Sequence, residues 1–297
     1  MTYLVPTLSA FAVAAIRLIP SFNRLTGYIG DLIYNKASVE AIYNDLVEID
    51  RLRSRKLLLE QDAEPIRFSS EIQIRDLTFR YPSVDEYILK DANLRIGRKE
   101  SIAFIGSSGA GKTTLADIFL GILEPEGGGV FVDGVDISGH MGSWHKLLGY
   151  IPQTIYLLDD TLRNNVAYGI KQEEIDDEKV WKALESAQLK DFVQGLEKGL
   201  DTSVGERGVR LSGGQRQRIG IARALYSDPE ILVLDEATSA LDNETETAVM
   251  EAINSLQGSK TLIIIAHRLT TIQNCDIIYE VKGQKVIRVD KESIFSE

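Results

Sequence analysis

The first fifty residues carry a hydrophobic pattern unlike that of the rest of the chain. Residues Tyr3 to Ile16 are almost all apolar, with Pro6 inside the run and Arg17 directly after it. Farther along, apolar residues recur at alternating steps of three and four, and Lys36 breaks the series once. The recurring positions are Phe22, Leu25, Ile29, Leu32, Val39, Tyr43 and Leu46. This spacing predicts one long helix that packs against other helices.

The apolar start has three interpretations. It is shorter than the ~20 residues that a full membrane span needs. A signal peptide would carry Lys or Arg ahead of the apolar run, and none precedes it here. A buried helix of a soluble protein is the second interpretation. The third is the cytoplasmic end of a longer membrane helix, and the change from apolar on all sides to amphipathic favours it.

A charged stretch separates this helix from the remainder of the chain. Residues Arg51 to Ser70 mix charged side chains with Pro65 and two serines, which is typical of a linker, and we place its bounds at 59–70. From Glu71 to Tyr81 apolar and polar residues alternate as they do in a strand. The change of period predicts that a second domain begins at residue 71.

Four short apolar runs bounded by turns follow in this second domain: SIAFIG, GVFVDG, ILVLDE and TLIIIAH. The last two predict buried strands of a parallel sheet with helices between them. The run GVFVDG ends in Asp133–Gly134, a hairpin signal that predicts an antiparallel piece. Residues 155–200 have a mostly helical pattern. The predicted fold class is therefore α/β.

Composition narrows the possible functions only slightly. The formal net charge of −11 argues against a sequence-independent grip on nucleic acid, which needs a surplus of Lys and Arg on one face. The single cysteine, Cys275, excludes a disulfide within the chain and is expected beside a buried strand. The three histidines show no metal-ligand spacing with it.

The first stretch with a chemical signature is GSSGAGKT, Gly106 to Thr113, which matches G-x-x-x-x-G-K-[ST]. It follows the apolar run SIAFI and precedes a helix-like segment, which is the context that this motif demands. Glycines let backbone N–H groups point inward at phosphate oxygens, and the helix N-terminus adds partial positive charge. We expect Lys112 to reach the β- and γ-phosphates and the Thr113 hydroxyl to bind Mg²⁺.

Two carboxylates end the apolar run ILVLDE. A buried strand would deliver Asp235 to Mg²⁺, usually through water, and Glu236 would polarise the attacking water. Adjacent acids often mark only a solvated turn. Here they follow an apolar strand in a chain that already contains a phosphate loop, which favours the functional interpretation.

A third stretch, LSGGQRQR, predicts a second anion site. Ser212, Gly213 and Gly214 precede a good helix, so small residues and a hydroxyl stand at another helix N-terminus. On composition alone an ordinary Ser-Gly-Gly turn would be the better interpretation. If the first loop already holds one nucleotide, the second site needs a phosphate from elsewhere.

Taken in order, the phosphate loop, LSGGQ, ILVLDEATSALD and the later His267 resemble the nucleotide-binding domain of an ATP-binding cassette (ABC) protein. The resemblance covers roughly residues 71–283. It implies a P-loop NTPase fold of ABC type, with a mixed sheet core, an antiparallel β subdomain and an α-helical subdomain. It also implies ATP and Mg²⁺, and two domains that bind head-to-tail with two ATP molecules between them.

The resemblance implies a role for each matching residue. Tyr81 in FRYP would stack on adenine, Gln153 in YIPQ would lie near Mg²⁺ and sense the transmembrane part, and Glu206 in VGERG would contact coupling helices of the partner. The phosphates would be held by Gly106, Ser107, Ser108, Gly109, Ala110, Gly111, Lys112, Thr113 and Thr114. The γ-phosphate bound by a second subunit would meet Ser212, Gly213, Gly214 and Gln215.

Two further roles complete the implied site. Asp242 would line the dimer seam, and His267 would hold the γ-phosphate and orient the transition state. Mg²⁺ would be held by Thr113, Gln153 and Asp235, and catalysis would rest on Glu236, His267 and Gln153. Plain strand packing is the alternative for Tyr81, and without the order of motifs His267 is better interpreted as a core histidine.

Exporter-type members of the family place this domain after six membrane helices, and residues 1–58 resemble the last of these. RLIPSFNRL and IYNDL are similar to bacterial flippases for lipid-linked oligosaccharides. We therefore expect a fragment of a transporter half, with 1–58 from the transmembrane domain, 59–70 as linker and 71–297 as the nucleotide-binding domain. It would couple ATP hydrolysis to export or flipping across the inner (cytoplasmic) membrane, with the cassette on the cytoplasmic side.

The expected partners are a second nucleotide-binding domain, identical or related, and transmembrane domains, with no nucleic acid. A soluble ABC ATPase acting in DNA repair or translation is the rival class. A non-hydrolysing regulatory cassette would need a spoiled phosphate loop, Glu236 or His267, and all are intact. The tail from Val281 lacks the glycine–histidine–acidic ending expected of many exporters, which weakens a narrow subfamily assignment.

Overall fold

The computed structural model describes residues 4–60, 65–82, 84–235, 243–266 and 268–295. The predicted functional residues Glu236, Asp242 and His267 lie outside these ranges. The chain divides into two compact units, Met1–Asp62 and Ala63–Glu297, which are described separately below.

The first unit is a single helix, α1, at Leu4–Glu60. It spans 57 residues and runs unbroken through Pro20, so the prediction of one long helix is confirmed. The helix contains a stretch long and apolar enough to cross a membrane, judged by length and composition. Its apolar positions are exposed within the described residues, Phe22 at 72% and Leu32 at 73%. The first ten residues of the predicted linker stretch Arg51 to Ser70 are helical as well.

The second unit contains two sheets and the helices that cover them. Its strands are β1 (Glu71–Phe79), β2 (Leu89–Gly97), β3 (Ser101–Ile105), β4 (Gly127–Val132), β5 (Val135–Asp136), β6 (Leu148–Ile151), β7 (Ile231–Asp235), β8 (Thr261–Ile265), β9 (Ile277–Lys282) and β10 (Lys285–Val289). Its helices are α2 (Lys112–Phe119), α3 (Met141–Leu147), α4 (Leu162–Val166), α5 (Asp177–Ser186), α6 (Lys190–Gln194), α7 (Gly213–Leu225), α8 (Asn243–Asn254), α9 (Leu269–Ile272) and α10 (Lys291–Phe295).

The larger sheet has six strands in the order β10-β9-β3-β8-β7-β6. All neighbours pair in parallel except β10, which is antiparallel to β9. The predicted parallel strands ILVLDE and TLIIIAH are β7 and β8, so this prediction is confirmed. The smaller sheet is antiparallel in the order β2-β1-β4-β5. The fold is thus the mixed α/β arrangement with an antiparallel subdomain that the sequence predicts.

Successive side chains of each buried strand point to opposite faces of the larger sheet. Two hydrophobic cores therefore form, one on each face. On β7, Ile231 and Val233 face α2 and the antiparallel sheet, whereas Leu232 and Leu234 face α4, α5, α7 and α8. Both sets are at most 1% exposed. A parallel strand covered by helices on both faces is apolar at every position, which explains the continuous run ILVL. The helices over residues 155–200 form the predicted helical part.

The predicted hairpin at Asp133–Gly134 joins β4 to β5. Both residues have positive φ, 48° and 87°, as a tight two-residue hairpin turn requires. The carboxylate of Asp133 accepts hydrogen bonds from the N–H groups of Ser69, Ser70 and Glu71 at 2.6–2.9 Å. The end of the predicted linker is therefore fastened to the hairpin, and Phe68 beside it is buried.

Cys275 is fully buried against the core that α7 and α8 cover, as expected for a small residue beside a buried strand. Burial raises the pKa of the Cys275 thiol to about 12, which keeps it protonated at neutral pH.

Candidate nucleotide site

The candidate site lies where parallel strands of the larger sheet end. Strand β3 leads into the loop Gly106–Gly111, and α2 begins directly afterwards at Lys112. Strands β8, β7 and β6 run parallel beside β3, in the registers Phe104 to Ile265 and Ile151 to Leu234. Their carboxyl ends therefore meet at one edge of the sheet, where α/β proteins commonly bind ligands.

The phosphate loop adopts a conformation that its glycines permit. Gly106 has φ of 145°, and a Cβ there would stand 2.4 Å from the backbone oxygen of Val281. Gly111 caps α2 with φ of 102°, and its added Cβ would stand 2.8 Å from Ile88 Cγ2. Side chains at these positions would force the backbone apart, so the close curl of the loop depends on glycine.

Lys112 is folded back over this loop. Its side chain is 4% exposed, and Nζ donates to the carbonyl oxygens of Gly106 at 2.9 Å and Ser107 at 3.0 Å. No side chain caps the N-terminus of α2. An ammonium group and several helix N–H donors thus converge on one point, an arrangement that favours an anion.

A cavity of about 290 Å³ opens beside the loop. Tyr81 lies on its wall, and the Tyr81 hydroxyl is 3.2 Å from Thr114 Oγ1. The Tyr81 ring also packs edge-on against Phe79, with centroids 5.1 Å apart. The Tyr81 ring therefore packs against Phe79 and also borders the cavity, and its contact with adenine stays a prediction. The cavity is lined by Tyr81, Ile88, Ser108, Gly109, Gly111, Lys112, Thr113 and Thr114.

Polar side chains lie at or just after the carboxyl ends of the neighbouring strands. Asp235 ends β7 and is 8% exposed, and Gln153 follows β6 in an exposed position. Burial, together with the charges of Asp235 and Asp117, raises the pKa of Tyr150 to about 12. Burial also raises the pKa of Asp117. The charges of Asp235 and Asp117 thus act on the Tyr150 hydroxyl.

The start of α7 is the second predicted anion site. Ser212 is the N-cap, and its Oγ accepts from the Gln215 N–H at 3.2 Å. The Gln215 Oε1 in turn accepts from the Ser212 N–H at 2.8 Å. These two bonds form a capping box, which fixes the direction of the helix and leaves the N–H groups of Gly213 and Gly214 at its first turn. Upstream, the exposed Glu206 begins a single turn, Glu206–Gly208, that ends in a buried glycine.

The structure brings some of the predicted residues together and separates others. Tyr81 and the phosphate loop share one cavity. Asp235 ends β7, and Gln153 follows the end of β6 at the same sheet edge. Ser212 to Gln215 do not line that cavity, and their contact with a phosphate held elsewhere stays a prediction. Sequence reasoning missed Arg223 and Asn165, which connect α7 to the segment after Gln153 and are treated below.

Comparison with known families identifies the class of protein. Residues 89–239, about half of the chain, match the family described as ABC transporter. The chain belongs to this family, as the motif order in the sequence predicts, and membership implies that it binds ATP.

Curated relatives point to one branch of that family. The chain is 36% identical over 280 residues to an ATP-dependent lipid A-core flippase of Bordetella avium, covering 94% of this chain and 46% of the relative. It is 38% identical over 286 residues to the flippase of the same name from Thiobacillus denitrificans, covering 94% and 47%. The chain thus spans about half the length of the curated relatives it matches.

A solved structure supports the same branch. A bacterial Atm1-family ABC exporter with ATP bound matches with a TM-score of 0.71 and 33% sequence identity, over 80% of this chain and 41% of that one. These findings favour the exporter class over the rival class of soluble ABC ATPases in DNA repair or translation.

Proposed function

We propose that this chain is the ATP-binding and ATP-hydrolysing motor part of an ABC exporter. The observation that carries the proposal is the buried Lys112 folded over a glycine loop at the sheet edge where Asp235 also ends its strand. An ammonium group beside a carboxylate at one strand edge suits a nucleotide phosphate paired with a hard cation.

Different residues of the site would hold different parts of ATP and Mg²⁺. Tyr81 would stack on adenine, and the loop N–H groups from Gly106 to Thr114 would surround the phosphates. Lys112 would exchange its two carbonyl contacts for β- and γ-phosphate oxygens. Mg²⁺, when bound, would neutralise phosphate charge.

The donor set fits that ion. Thr113, Asp235 and Gln153 offer only oxygen donors, which a hard cation prefers, and few of them. Among the described residues, no group of three or more His, Cys, Asp or Glu forms a dedicated metal cage. This suits Mg²⁺, which is usually held by one or two protein carboxylates together with substrate phosphates.

A second copy, or a related domain, would complete the site. The turn at Ser212 to Gln215 would meet the γ-phosphate held by the partner, and Asp242 would line the seam. Glu236 would polarise the attacking water, and His267 would hold the γ-phosphate. Binding of ATP would close the two domains because each γ-phosphate gains contacts from both, and hydrolysis would remove that differential contact.

Helix α1 would link this motor to the membrane. Its exposed apolar residues between Pro6 and Arg53 suit packing against other transmembrane helices. We assign 1–58 to the transmembrane domain, 59–70 to the linker and 71–297 to the cassette. We place the protein in the inner (cytoplasmic) membrane with the cassette on the cytoplasmic side. The names of its relatives support a lipid-linked substrate, flipped or exported at the expense of ATP.

Replacing the proposed base tests the hydrolytic role. In the full chain, Glu236→Gln should keep ATP binding and lose at least ~100-fold in turnover, the scale expected for removing a positioned base. Glu251→Gln, at an exposed position of α8, serves as the matched control and should keep its turnover. Near-normal phosphate release by Glu236→Gln would refute the assignment.

A further inference from the structure

The side chain of Arg223, on α7, reaches across to two other parts of the helical region. Its Nε donates to the Asn165 carbonyl at 2.9 Å, and Nη1 donates to the Tyr156 carbonyl at 2.9 Å. Its Nη2 donates to Asn165 Oδ1 at 3.2 Å, and the guanidinium carbon lies 4.7 Å above the centre of the Tyr168 ring. One side chain thus joins α7 to α4 and to the segment that follows Gln153.

Asn165 continues this connection from the other side. It is fully buried, and its Oδ1 accepts from the Leu158 N–H at 2.9 Å. Its Nδ2 donates to the carbonyls of Leu158 at 3.1 Å and Thr161 at 3.0 Å. The amide therefore uses both of its ends, and the backbone around Leu158 is held in one position by a buried partner.

Close packing against glycines adds a second, independent contact. A Cβ at Gly220 of α7 would stand 2.4 Å from Ile155 Cδ1 and 2.8 Å from Ile155 Cγ1. A Cβ at Gly208 would stand 2.8 Å from Leu157 Cδ1. The stretch Ile155 to Leu158 thus packs closely against α7 through Ile155 and against the turn before α7 through Leu157, in addition to its hydrogen bonds.

These contacts connect two groups that the proposed function places on nucleotide. Ile155 follows Gln153 by two positions, and Ser212 is the N-cap of the helix that carries Gly220 and Arg223. Resting on that proposed function, we infer that Arg223 is a positioning residue. It ties the Gln153 segment to the Ser212 helix, so that the two shift together as one body.

The chemistry of the tie requires arginine. Three acceptors, each met by a different guanidinium nitrogen, match the planar fork of arginine, whereas lysine offers a single nitrogen without that fixed geometry. Burial lowers the pKa of Arg223, yet a guanidinium keeps its charge at neutral pH. The substitution Arg223→Lys therefore keeps the charge and removes the simultaneous contacts.

Hydrogen exchange on the full chain tests the tie without reference to hydrolysis. In Arg223→Lys the amide of Leu158 and its neighbours in 153–158 should exchange at least ~5-fold faster. Arg218→Lys is the matched control, because Arg218 lies on the same helix, is also partly buried and donates to the Gln188 carbonyl at 3.0 Å. Equal exchange over 153–158 in the two variants would overturn the tie.

A second variant disturbs the packing without touching the guanidinium. Gly220→Ala should displace Ile155 and speed exchange over the same segment, whereas Gly139→Ala, with open space around its Cβ, should not. Unchanged exchange in Gly220→Ala would show that the segment is held independently of α7.

Measurement of ATP turnover distinguishes a positioning role of Arg223 from a purely stabilising one. With Arg223→Lys, kcat for ATP should fall about tenfold while KM stays within about twofold, as expected when coupling rather than binding is lost. An unchanged kcat with loosened exchange would overturn the positioning role. If the unmodified chain hydrolyses no ATP yet Arg223→Lys loosens the segment, the proposed function fails and the tie stands.

Discussion

Two helices of the second unit begin with glycine-rich turns, and they begin in opposite ways. At α2 the cap is Gly111 in a left-handed conformation with no side-chain cap, and Lys112 folds back onto the loop carbonyls. At α7 the cap is Ser212, which forms a capping box with Gln215. The first turn of α2 is left open beside a buried cation, whereas that of α7 is stabilised by its own side chains.

The two glycine-rich turns therefore suit different tasks. The turn before α2 carries its own positive charge and a cavity, so it suits an anion by itself. At α7 the first-turn cation, Arg216, donates to the Leu211 carbonyl at 2.6 Å and points its charge back into the chain. The capping box fixes the start of α7 with its own side chains, which suits the proposed role of this turn in completing a site held by another domain.

Removal of the Lys112 ammonium group should have the largest effect of the substitutions at these two helix starts. Lys112→Ala deletes two charge-assisted contacts, each worth about 1.5 kcal/mol or more, so ATP binding should weaken at least ~100-fold. Titration calorimetry on the full chain measures this loss. Lys171→Ala removes an exposed lysine that pairs with Glu174 at 3.6 Å and should leave affinity unchanged. Equal affinities in both variants would remove Lys112 from the site.

A substitution at the start of α7 should prevent the association of two copies and leave nucleotide binding by each monomer intact. Ser212→Arg places a long cation at the capped turn, so ATP-dependent dimers should disappear while each monomer still binds nucleotide. Asp176→Arg at the N-cap of α5 is the matched control, because Asp176 accepts from Glu178 N–H at 3.0 Å. Both variants lose about 1 kcal/mol of capping stability. Dimers of Ser212→Arg persisting on a sizing column with ATP would contradict a site completed by a partner.

Much of this architecture can be predicted from the sequence because it depends on residues that are close together along the chain. Apolar runs between turns identify β7 and β8, and Asp133–Gly134 identifies the hairpin, since left-handed φ favours these residues there. The phosphate loop is recognisable because its glycines, lysine and flanking elements have a fixed spacing. The capping box at Ser212 likewise follows from a spacing of three residues.

Contacts between distant parts of the chain were not predictable in the same way. Nothing local marks Asp133 as the partner of Ser69 to Glu71, or Phe68 as buried, so the sequence predicts a linker there and not its contacts with the hairpin. Arg223 and Asn165 are separated by 58 positions, and a single sequence holds no signal that joins them. Side-chain networks of this kind emerge only from the packed fold.

The smallest expected effect concerns the ring of Tyr81. An aromatic contact is worth about 0.5–1.5 kcal/mol, so Tyr81→Leu should weaken ATP binding about 2- to 10-fold. Tyr81→Phe keeps the ring and loses only the hydroxyl contact to Thr114, so its affinity should stay within about twofold. Competition binding with ATP and with inorganic triphosphate provides the measurement.

The choice of ligand decides what the Tyr81 ring does. Lys112→Ala should weaken both ligands because the ammonium group binds phosphate. Tyr81→Leu should weaken ATP alone, since triphosphate offers no base for the ring to stack on. If Tyr81→Leu weakens triphosphate as much as ATP, the ring acts by supporting the loop through Phe79 and Thr114. In that case the α2 site would recognise phosphate only, and its difference from the α7 turn would lie wholly in Lys112 and the uncapped glycine.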